Sequence, residues 1–215
     1  MTEVVSVERD GPLIARSSLE RTVLGGGVAV FPADGLYGLA CDPIRADAIE
    51  HIQALKGRDH AKPSAVMYFS PLAMRELVAT LGPRTREALA LMLPGPVTLV
   101  VANPEHRYPL ACREHPEQLG IRLIEGPLAG AACAVFQTSA NRSGEPAPAR
   151  FEEIDDQIVA GADLAIDTGE LAGSPSTVID ITGIERGEAP AVLREGALSA
   201  ATVSGLLASL WSQAQ

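Results

Sequence analysis

The sequence predicts an α/β fold built on an open, twisted, mixed sheet with helices around it. Apolar runs of strand length alternate with segments of helical periodicity from one end of the chain to the other. No internal repeat or low-complexity tract interrupts them, and 215 residues with 47% hydrophobic content can bury a substantial core. We therefore expect one domain over residues 1–215, with its core at about 18–198 and a central concave groove where the loops after the strands converge.

The first half of the chain is expected to begin with a helix that has a capping-box pattern at Ser17 and ends at the glycines 25–27. Gly57 is a natural cap for the end of a second helix, and Ser70 followed by Pro71 is a typical start of a third. After the first helix, the expected elements are a strand at 28–31, a loop over 32–43, a helix at 47–56, a strand at 65–69, helices at 71–82 and 84–93, and a strand at 97–101.

The second half continues the alternation with shorter elements. Strands are expected at 120–123, 136–138, 164–167, 177–181 and 191–194. Helices are expected at 128–135, at 151–160, and from about Ser199 to Trp211.

Charge and hydropathy limit the classes of protein that fit this chain. The formal net charge of −10 argues against a surface that grips nucleic acid everywhere, because binding to phosphates is largely electrostatic. Only a local basic groove is compatible with it. Residues 1–9 show no apolar run behind a basic start, and no stretch approaches the length of a membrane span. These features predict a cytoplasmic protein.

The cysteines and histidines predict neither disulfides nor a metal centre. Cys41, Cys112 and Cys133 are odd in number and scattered, so we expect buried or bystander thiols. The four histidines lack chelating spacing: His51, His60, His106 and His115. No protein-held metal is expected.

Three segments carry residues suited to ligand binding, although each also has an ordinary structural interpretation. Lys56-Gly57-Arg58 brings two cations to a helix end, where they suit phosphate or carboxylate oxygens or simply form a solvated basic terminus. Residues 138–146 place hydroxyls, an amide and a guanidinium after a strand, as a ligand loop or a polar turn would. The two glycines of residues 32–40 allow close approach of a ligand or a tight turn.

No standard phosphate-binding loop is present. The glycines 25–27 precede a strand and are not followed by Gly-Lys-Ser/Thr, so they are expected to end a helix. No Gly-x-Gly-x-x-Gly opens a helix either. A nucleotide would have to be held by other residues.

In combination and in this order, the three segments together with 93–100, 174–180 and 193–196 make the chain resemble the YrdC-like family over about 25–198. Established members of that family are threonylcarbamoyl-AMP synthases. The resemblance implies a nucleotidyltransferase that converts ATP, L-threonine and bicarbonate into threonylcarbamoyl-AMP and pyrophosphate, with Mg²⁺ accompanying ATP. This is the first step in forming N6-threonylcarbamoyladenosine at position 37 of tRNA, so tRNA or the downstream transfer machinery is an implied partner.

The resemblance also implies roles for individual residues. Lys56 and Arg58 match the family's Lys-x-Arg pair and would stabilise charge on the phosphates and the carbamate. The amino acid would lie against Ala33, Tyr37 and Arg122. The nucleotide would be held by Thr138, Ser139, Asn141, Ser143, Ser176 and Arg194.

The sequence departs from the family pattern at three places. Ala33 stands where the family usually has threonine, which removes one hydroxyl from the amino-acid pocket. Residues 122–124 read Arg-Leu-Ile instead of Arg-Val-Pro, and Glu195 replaces the proline of Arg-Pro-Gly, which is expected to place a carboxylate near the phosphates. These departures suggest a diverged paralogue of the short, single-domain form. Asp34, next to Ala33, is expected to cap a turn.

Three functions therefore stay open. The first is synthesis of threonylcarbamoyl-AMP. The second keeps the adenylation but uses another carbamoyl-type acyl group, as Ala33 suggests. The third is a non-catalytic RNA-binding factor, which the net charge disfavours. The positive charges of its RNA-binding groove would come from Lys56, Arg58, Lys62, Arg122, Arg142 and Arg194.

Overall fold

The computed structural model describes residues 1–57 and 63–211. The strands are β1 (Glu3–Ser6), β2 (Ala29–Pro32), β3 (Tyr37–Cys41), β4 (Ala65–Tyr68), β5 (Val97–Ala102), β6 (Gln118–Leu123), β7 (Ala134–Ser139), β8 (Leu164–Asp167), β9 (Thr177–Asp180) and β10 (Ala191–Arg194). The helices are α1 (Val7–Asp10), α2 (Pro12–Leu24), α3 (Ala46–Lys56), α4 (Pro71–Thr80), α5 (Pro83–Met92), α6 (Pro109–Cys112), α7 (Asp156–Gly161) and α8 (Ala200–Trp211). Single 3-10 turns lie at Phe151–Glu153 and Ile184–Arg186.

The strands form one mixed sheet in the order β1-β8-β2-β3-β7-β4-β6-β5-β9-β10. In the middle of the sheet, β3 and β7 run antiparallel to both of their neighbours, whereas β4 pairs with β7 in antiparallel and with β6 in parallel. The predicted open mixed sheet flanked by helices is therefore confirmed.

Two apolar cores lie on opposite faces of the sheet, because successive side chains of a strand alternate between its faces. The larger core packs α3, α4, α5, α7 and α8 against one face. The smaller core packs α2 and the segment 124–133 against part of the other. The groove lies on the remaining area of that second face. No helix in the described residues is both long and apolar enough to span a membrane.

The loop predicted over 32–43 is wrong, because its second part is the central strand β3. With two glycines and no β-branched residue, this segment has little intrinsic preference for a strand. It becomes one through hydrogen bonds to β2 on one side and β7 on the other. Tertiary pairing decides its conformation.

The helix predicted at 128–135 is also wrong. Gly130 has a positive φ of 89°, which interrupts a helix, and the last two residues of the segment begin β7. The helix predicted at 151–160 is divided, because Asp155 accepts from Gln157 N at 2.7 Å and starts α7 there. The first long helix starts earlier than Ser17, at Pro12, a residue favoured at the first helical position.

Candidate active site

A groove lies on the sheet face that α2 leaves uncovered. Its cavity measures about 520 Å³, within the range of roughly 300–1,000 Å³ typical of small-molecule sites. Every strand from β3 across the sheet to β10 contributes to its wall. The strand residues that face it are small or polar in most cases: Ala65, Thr98, Val100, Gly120, Arg122, Gln137 and Val178. This confirms the predicted concave groove.

Arg122 on β6 is a buried cation in this groove, with 5% of its surface exposed. Its Nη2 lies 3.5 Å from Asp34 Oδ2, and its Nη1 lies 3.4 Å from Gln137 Oε1, both long for hydrogen bonds. Its Nε has no hydrogen-bond partner within the described residues. Burial lowers the pKa of Arg122 to about 10, although Asp34 opposes this. A guanidinium with donors to spare is suited to binding a carboxylate through two hydrogen bonds.

Asp34 holds this guanidinium from the turn between β2 and β3, where it adopts a φ of 80°. The capping role predicted for its side chain is wrong, since in residues 1–57 and 63–211 its carboxylate accepts from Arg122 and from no backbone N–H. The turn is closed instead by Ala33 N, which donates to Leu36 O at 2.9 Å. Burial raises the pKa of the Asp34 carboxyl more than Arg122 lowers it. Asp34 is therefore a loose partner that orients Arg122.

Lys56 ends α3, and Gly57 leaves the helix in the left-handed conformation, with a φ of 56°. The Lys56 side chain is buried and fastens the loop after β7. Its Nζ donates to the backbone carbonyl of Ser139, to Asn141 O at 2.7 Å and to Asn141 Oδ1 at 3.2 Å. Arg58, the second residue of the predicted pair, lies outside the described residues.

The loop after β7 is further ordered by its own polar groups. Ser139 Oγ donates to Asn141 Oδ1 at 2.5 Å, and Asn141 Nδ2 donates to Glu145 O at 2.5 Å. Ser143 N donates to Lys56 O at 2.8 Å. The loop is thereby tied both to α3 and to itself.

Four of the residues predicted to bind the nucleotide lie at the end of β7 and in the loop after it; two of them line the groove and two stabilise the loop. Thr138 and Ser139 line the cavity. Asn141 and Ser143 stabilise the loop behind it, as their hydrogen bonds indicate. The loop can therefore offer hydroxyl and backbone groups to a ligand from a fixed position.

Ser176 and Arg194, also predicted to bind the nucleotide, meet at the opposite side of the groove. Ser176 directly precedes β9 and Arg194 ends β10, and these two strands are paired. Arg194 Nη2 donates to Ser176 O at 2.7 Å and to Ser176 Oγ at 3.2 Å. Ser176 Oγ lies 2.9 Å from Thr98 Oγ1. All three residues line the cavity, and a cation beside two hydroxyls suits the oxygens of a phosphate.

Glu195, which the sequence predicts to bring a carboxylate near this cluster, does not line the cavity. Glu195 Oε1 accepts from Ala200 N at 2.8 Å, which caps the first residue of α8. Acidic groups stabilise helix N-termini by satisfying free N–H groups and by interacting with the helix dipole. The Glu195 carboxylate therefore caps the N-terminus of α8.

A strap formed by residues 168–176 joins β8 to β9 and closes one side of the groove. Gly173 N donates to Gly35 O at 2.9 Å, and Ala197 N donates to Pro175 O at 2.9 Å. The backbones approach so closely that a Cβ on Gly35 would lie 2.1 Å from Ser174 O. A Cβ on Gly196 would lie 2.2 Å from Pro175 O. Both glycines are needed for the strap to keep this path.

Gly35→Ala is expected to lower the free energy of unfolding by about 1–3 kcal/mol, because the new methyl group overlaps Ser174 O and displaces the strap. Urea denaturation measures the change. Gly205→Ala in α8 is the matched control, since a Cβ there meets nothing within 4 Å and alanine favours helix. Equal stability of the two variants would contradict the close approach.

Two comparisons place the chain among known proteins. The Sua5/YciO/YrdC family model, described as telomere recombination, matches residues 21–196. A Nitrosococcus oceani protein named threonylcarbamoyl-AMP synthase is 34% identical over 168 residues, which cover 74% of this chain and 89% of that protein. The chain belongs to the Sua5/YciO/YrdC family.

Solved structures of Sua5/YciO/YrdC proteins have the same fold. P. abyssi Sua5 complexed with L-threonine is 25% identical with a TM-score of 0.80, over 96% of this chain and 60% of that one. This chain thus spans about three fifths of that Sua5. E. coli YciO has a TM-score of 0.76 at 23% identity, over 93% of this chain and 97% of that one, and supports the fold alone.

Ala33 and Tyr37, both expected to border the amino acid, differ in how they contribute to the cavity. Ala33 is buried and lines the cavity directly. Tyr37 borders the cavity, but its hydroxyl donates to Gly169 O at 2.7 Å and accepts from Thr168 N at 3.0 Å. Its ring packs edge-on against Phe151 at 5.9 Å. The Tyr37 hydroxyl is therefore used to anchor the strap.

The local basic surface considered for RNA binding is only partly formed by described residues. Lys56 and Arg122 are buried, and Arg142 Nε donates to Asp155 Oδ2 at 2.5 Å. Arg58 and Lys62 lie outside the described residues. Arg194 is exposed and lines the cavity, so among the described members of this set it is the cation best placed to contact a phosphate backbone.

Gln137 on β7 and Thr98 on β5 are among the groove residues that sequence reasoning missed. Their signal is alternation along a strand: Thr98 lies between the buried Val97 and Leu99, and Gln137 follows the buried Phe136, so each side chain lies on the opposite face. Cys112 also lines the cavity, and burial raises the pKa of its thiol to about 11, so it is not a thiolate at neutral pH. All three cysteines are free, and their burial agrees with the sequence-based expectation.

The described residues contain no group of three or more His, Cys, Asp or Glu side chains placed to hold a metal ion.

Proposed function

We propose that the protein is a threonylcarbamoyl-AMP synthase that forms threonylcarbamoyl-AMP and pyrophosphate from L-threonine, bicarbonate and ATP. The observation that carries the proposal is Arg122, a buried guanidinium with unused donors at the centre of a groove of suitable volume. Relatives with this name support it, and so does the complex of P. abyssi Sua5 with L-threonine.

The reaction requires two anionic reactants to be held together. The amine of threonine and bicarbonate form a carbamate with loss of water. A carbamate oxygen then attacks the α-phosphorus of ATP, so that one O–P bond forms while the bond to the leaving pyrophosphate breaks. Such a step is accelerated by positioning and by stabilisation of negative charge, without an obligatory proton-transfer residue.

In this proposal the groove is divided between the two substrates. Arg122 binds the threonine carboxylate, and Ala33 borders the amino acid. Arg194 and Ser176 contact phosphate oxygens, since they already form a cluster of cation and hydroxyl. The nucleotide lies against the loop after β7, with Thr138 and Ser139 towards it and Asn141 and Ser143 supporting the loop.

Lys56 has a positioning role in this arrangement, because its ammonium group holds the carbonyls of Ser139 and Asn141. Its charge also stabilises the phosphates across the loop. Arg58 is proposed to contact the phosphates and the carbamate directly, as the family pattern implies.

Further expectations complete the proposal. Mg²⁺ enters with ATP as part of the substrate. The product is a reactive mixed anhydride, so the machinery that transfers its acyl group to tRNA is the proposed partner, with direct tRNA binding as one route. The chain is proposed to act as one domain, in the cytoplasm.

The test is pyrophosphate release from Mg-ATP and bicarbonate with single amino acids and, separately, carbamoyl phosphate. We expect threonine to stimulate release, and mass spectrometry to detect threonylcarbamoyl-AMP. Release that no amino acid stimulates would overturn the proposal. Stimulation by a different acyl donor alone would favour the second function, which Ala33 suggests.

A further inference from the structure

Gln137 occupies the centre of the groove wall beside Arg122. It lies on β7 between Ala40 of β3 and Ala65 of β4, its partners in register. Both neighbours are small, so the longer Gln137 side chain extends past them into the cavity, which it lines. The side chain is only partly buried, and its end is accessible to a ligand.

The orientation of the Gln137 amide is set by its charged neighbour. Arg122 Nη1 donates to Gln137 Oε1 at 3.4 Å, and a guanidinium has donors only, so the oxygen must face it. The amide NH₂ therefore points the other way. Within the described residues, no protein acceptor takes a hydrogen bond from this NH₂ group.

The Gln137 NH₂ group lies close to Gly38 and Ala33, and the part of the cavity beside Ala33 and Gln137 is called the recess below. A Cβ built on Gly38 would lie 3.1 Å from Gln137 Nε2 and 3.0 Å from the Ala33 Cβ. The backbone oxygen of Thr138 would lie 3.0 Å from the same Cβ, so only glycine at position 38 lets the Gln137 amide lie here. Ala33 adds no polar side-chain atom to it, so the Gln137 amide supplies the polar side-chain donors of this recess.

We propose that Gln137 is the specificity-determining residue for the amino acid: its NH₂ group donates to the side-chain hydroxyl of threonine in the recess, while Arg122 binds the carboxylate. The inference rests on the proposed function and adds to it the residue that recognises the hydroxyl. A donor aimed at a substrate hydroxyl rejects an analogue without that hydroxyl, because the donor is then left without a partner.

The discriminating experiment compares threonine with valine, which has nearly the same shape and lacks the hydroxyl. The wild-type protein is expected to prefer threonine by roughly 10-fold or more in kcat/KM for pyrophosphate release. Gln137→Met keeps the volume of the side chain and removes the donors. We expect it to reduce the preference to about 1–2-fold, with the KM for ATP within about 2-fold of wild type.

Two further measurements keep the test independent of folding and of turnover. Gln157→Ala removes an exposed glutamine of α7 and is expected to leave the preference unchanged. Calorimetric binding of threonine and valine to wild type and to Gln137→Met reports the same preference without catalysis, and thermal denaturation establishes that each variant is folded.

The outcomes separate the inference from the proposed function. Loss of the threonine preference in Gln137→Met, in turnover or in binding, supports the inference. The inference is overturned if folded Gln137→Met keeps the wild-type preference, or if wild type prefers neither amino acid in both assays. Absence of any amino-acid-stimulated pyrophosphate release overturns the proposed function, whereas binding preferences still decide the role of Gln137.

Discussion

Arg122→Met is expected to reduce amino-acid-stimulated pyrophosphate release by about 100-fold or more in kcat/KM for threonine. The reason is that methionine fills the volume of the arginine but provides no donors for a carboxylate, and loss of a buried charge partner costs roughly 2–5 kcal/mol of binding. Steady-state kinetics at varied threonine and saturating ATP measure the loss. Arg122→Lys is expected to retain part of the activity, since it keeps the charge and loses the planar fork.

The stability of Arg122→Met distinguishes a binding role from a structural one. Arg122 is buried with an unsatisfied Nε, and the Asp34 side chain, 36% exposed, can remain hydrated without it. We therefore expect the free energy of unfolding to change by no more than about 1 kcal/mol. Arg186→Met, which removes an exposed pair with Glu188, is the control and should keep full activity. A variant of Arg122 that unfolds easily yet stays active would contradict the assignment.

Lys56→Met is expected to lower the free energy of unfolding by about 2–4 kcal/mol and to abolish measurable synthesis. The ammonium group donates to the carbonyls of both Ser139 and Asn141, and buried acceptors left without a donor carry a cost of about 1–3 kcal/mol each. Urea denaturation measures the stability, and the pyrophosphate assay measures the activity.

The matched control for Lys56→Met lies on the same helix. Glu50→Ala changes an exposed residue of α3 and is expected to change stability by less than about 0.5 kcal/mol. If Lys56→Met were as stable as Glu50→Ala, the ammonium group would not be holding the loop. If it were destabilised but fully active when folded, Lys56 would have no part in the reaction.

The parts of the fold that could be predicted are those in which local chemistry and tertiary structure agree. α3 ends where Gly57 requires it, and α4 starts at the Ser70 N-cap, which accepts from Ala73 N at 3.2 Å. β3 could not be predicted, because its strand conformation comes from two neighbours distant in sequence. Local signals carry no information about such pairing.

The site was predictable as far as its motifs extended. The motifs assigned Lys56, Ser139 and Asn141 to one ligand site, together with Ser176 and Arg194. The structure brings Lys56 to Ser139 and Asn141, and Arg194 to Ser176, although these residues are far apart along the chain. They did not show which groups are used internally. The carboxylate of Glu195 serves α8, and the hydroxyl of Tyr37 holds the strap, because a side chain's direction depends on the backbone around it.

The groove wall consists of strand residues whose opposite neighbours form the larger core. A change in a wall side chain therefore alters the shape of the substrate site without entering the packed interior. Gly120 illustrates this, since a Cβ there would make only ordinary contacts, the nearest at 3.5 Å from Thr98 Cγ2. Such positions allow the acyl substrate to change during evolution, or by design, while the sheet that carries them stays intact.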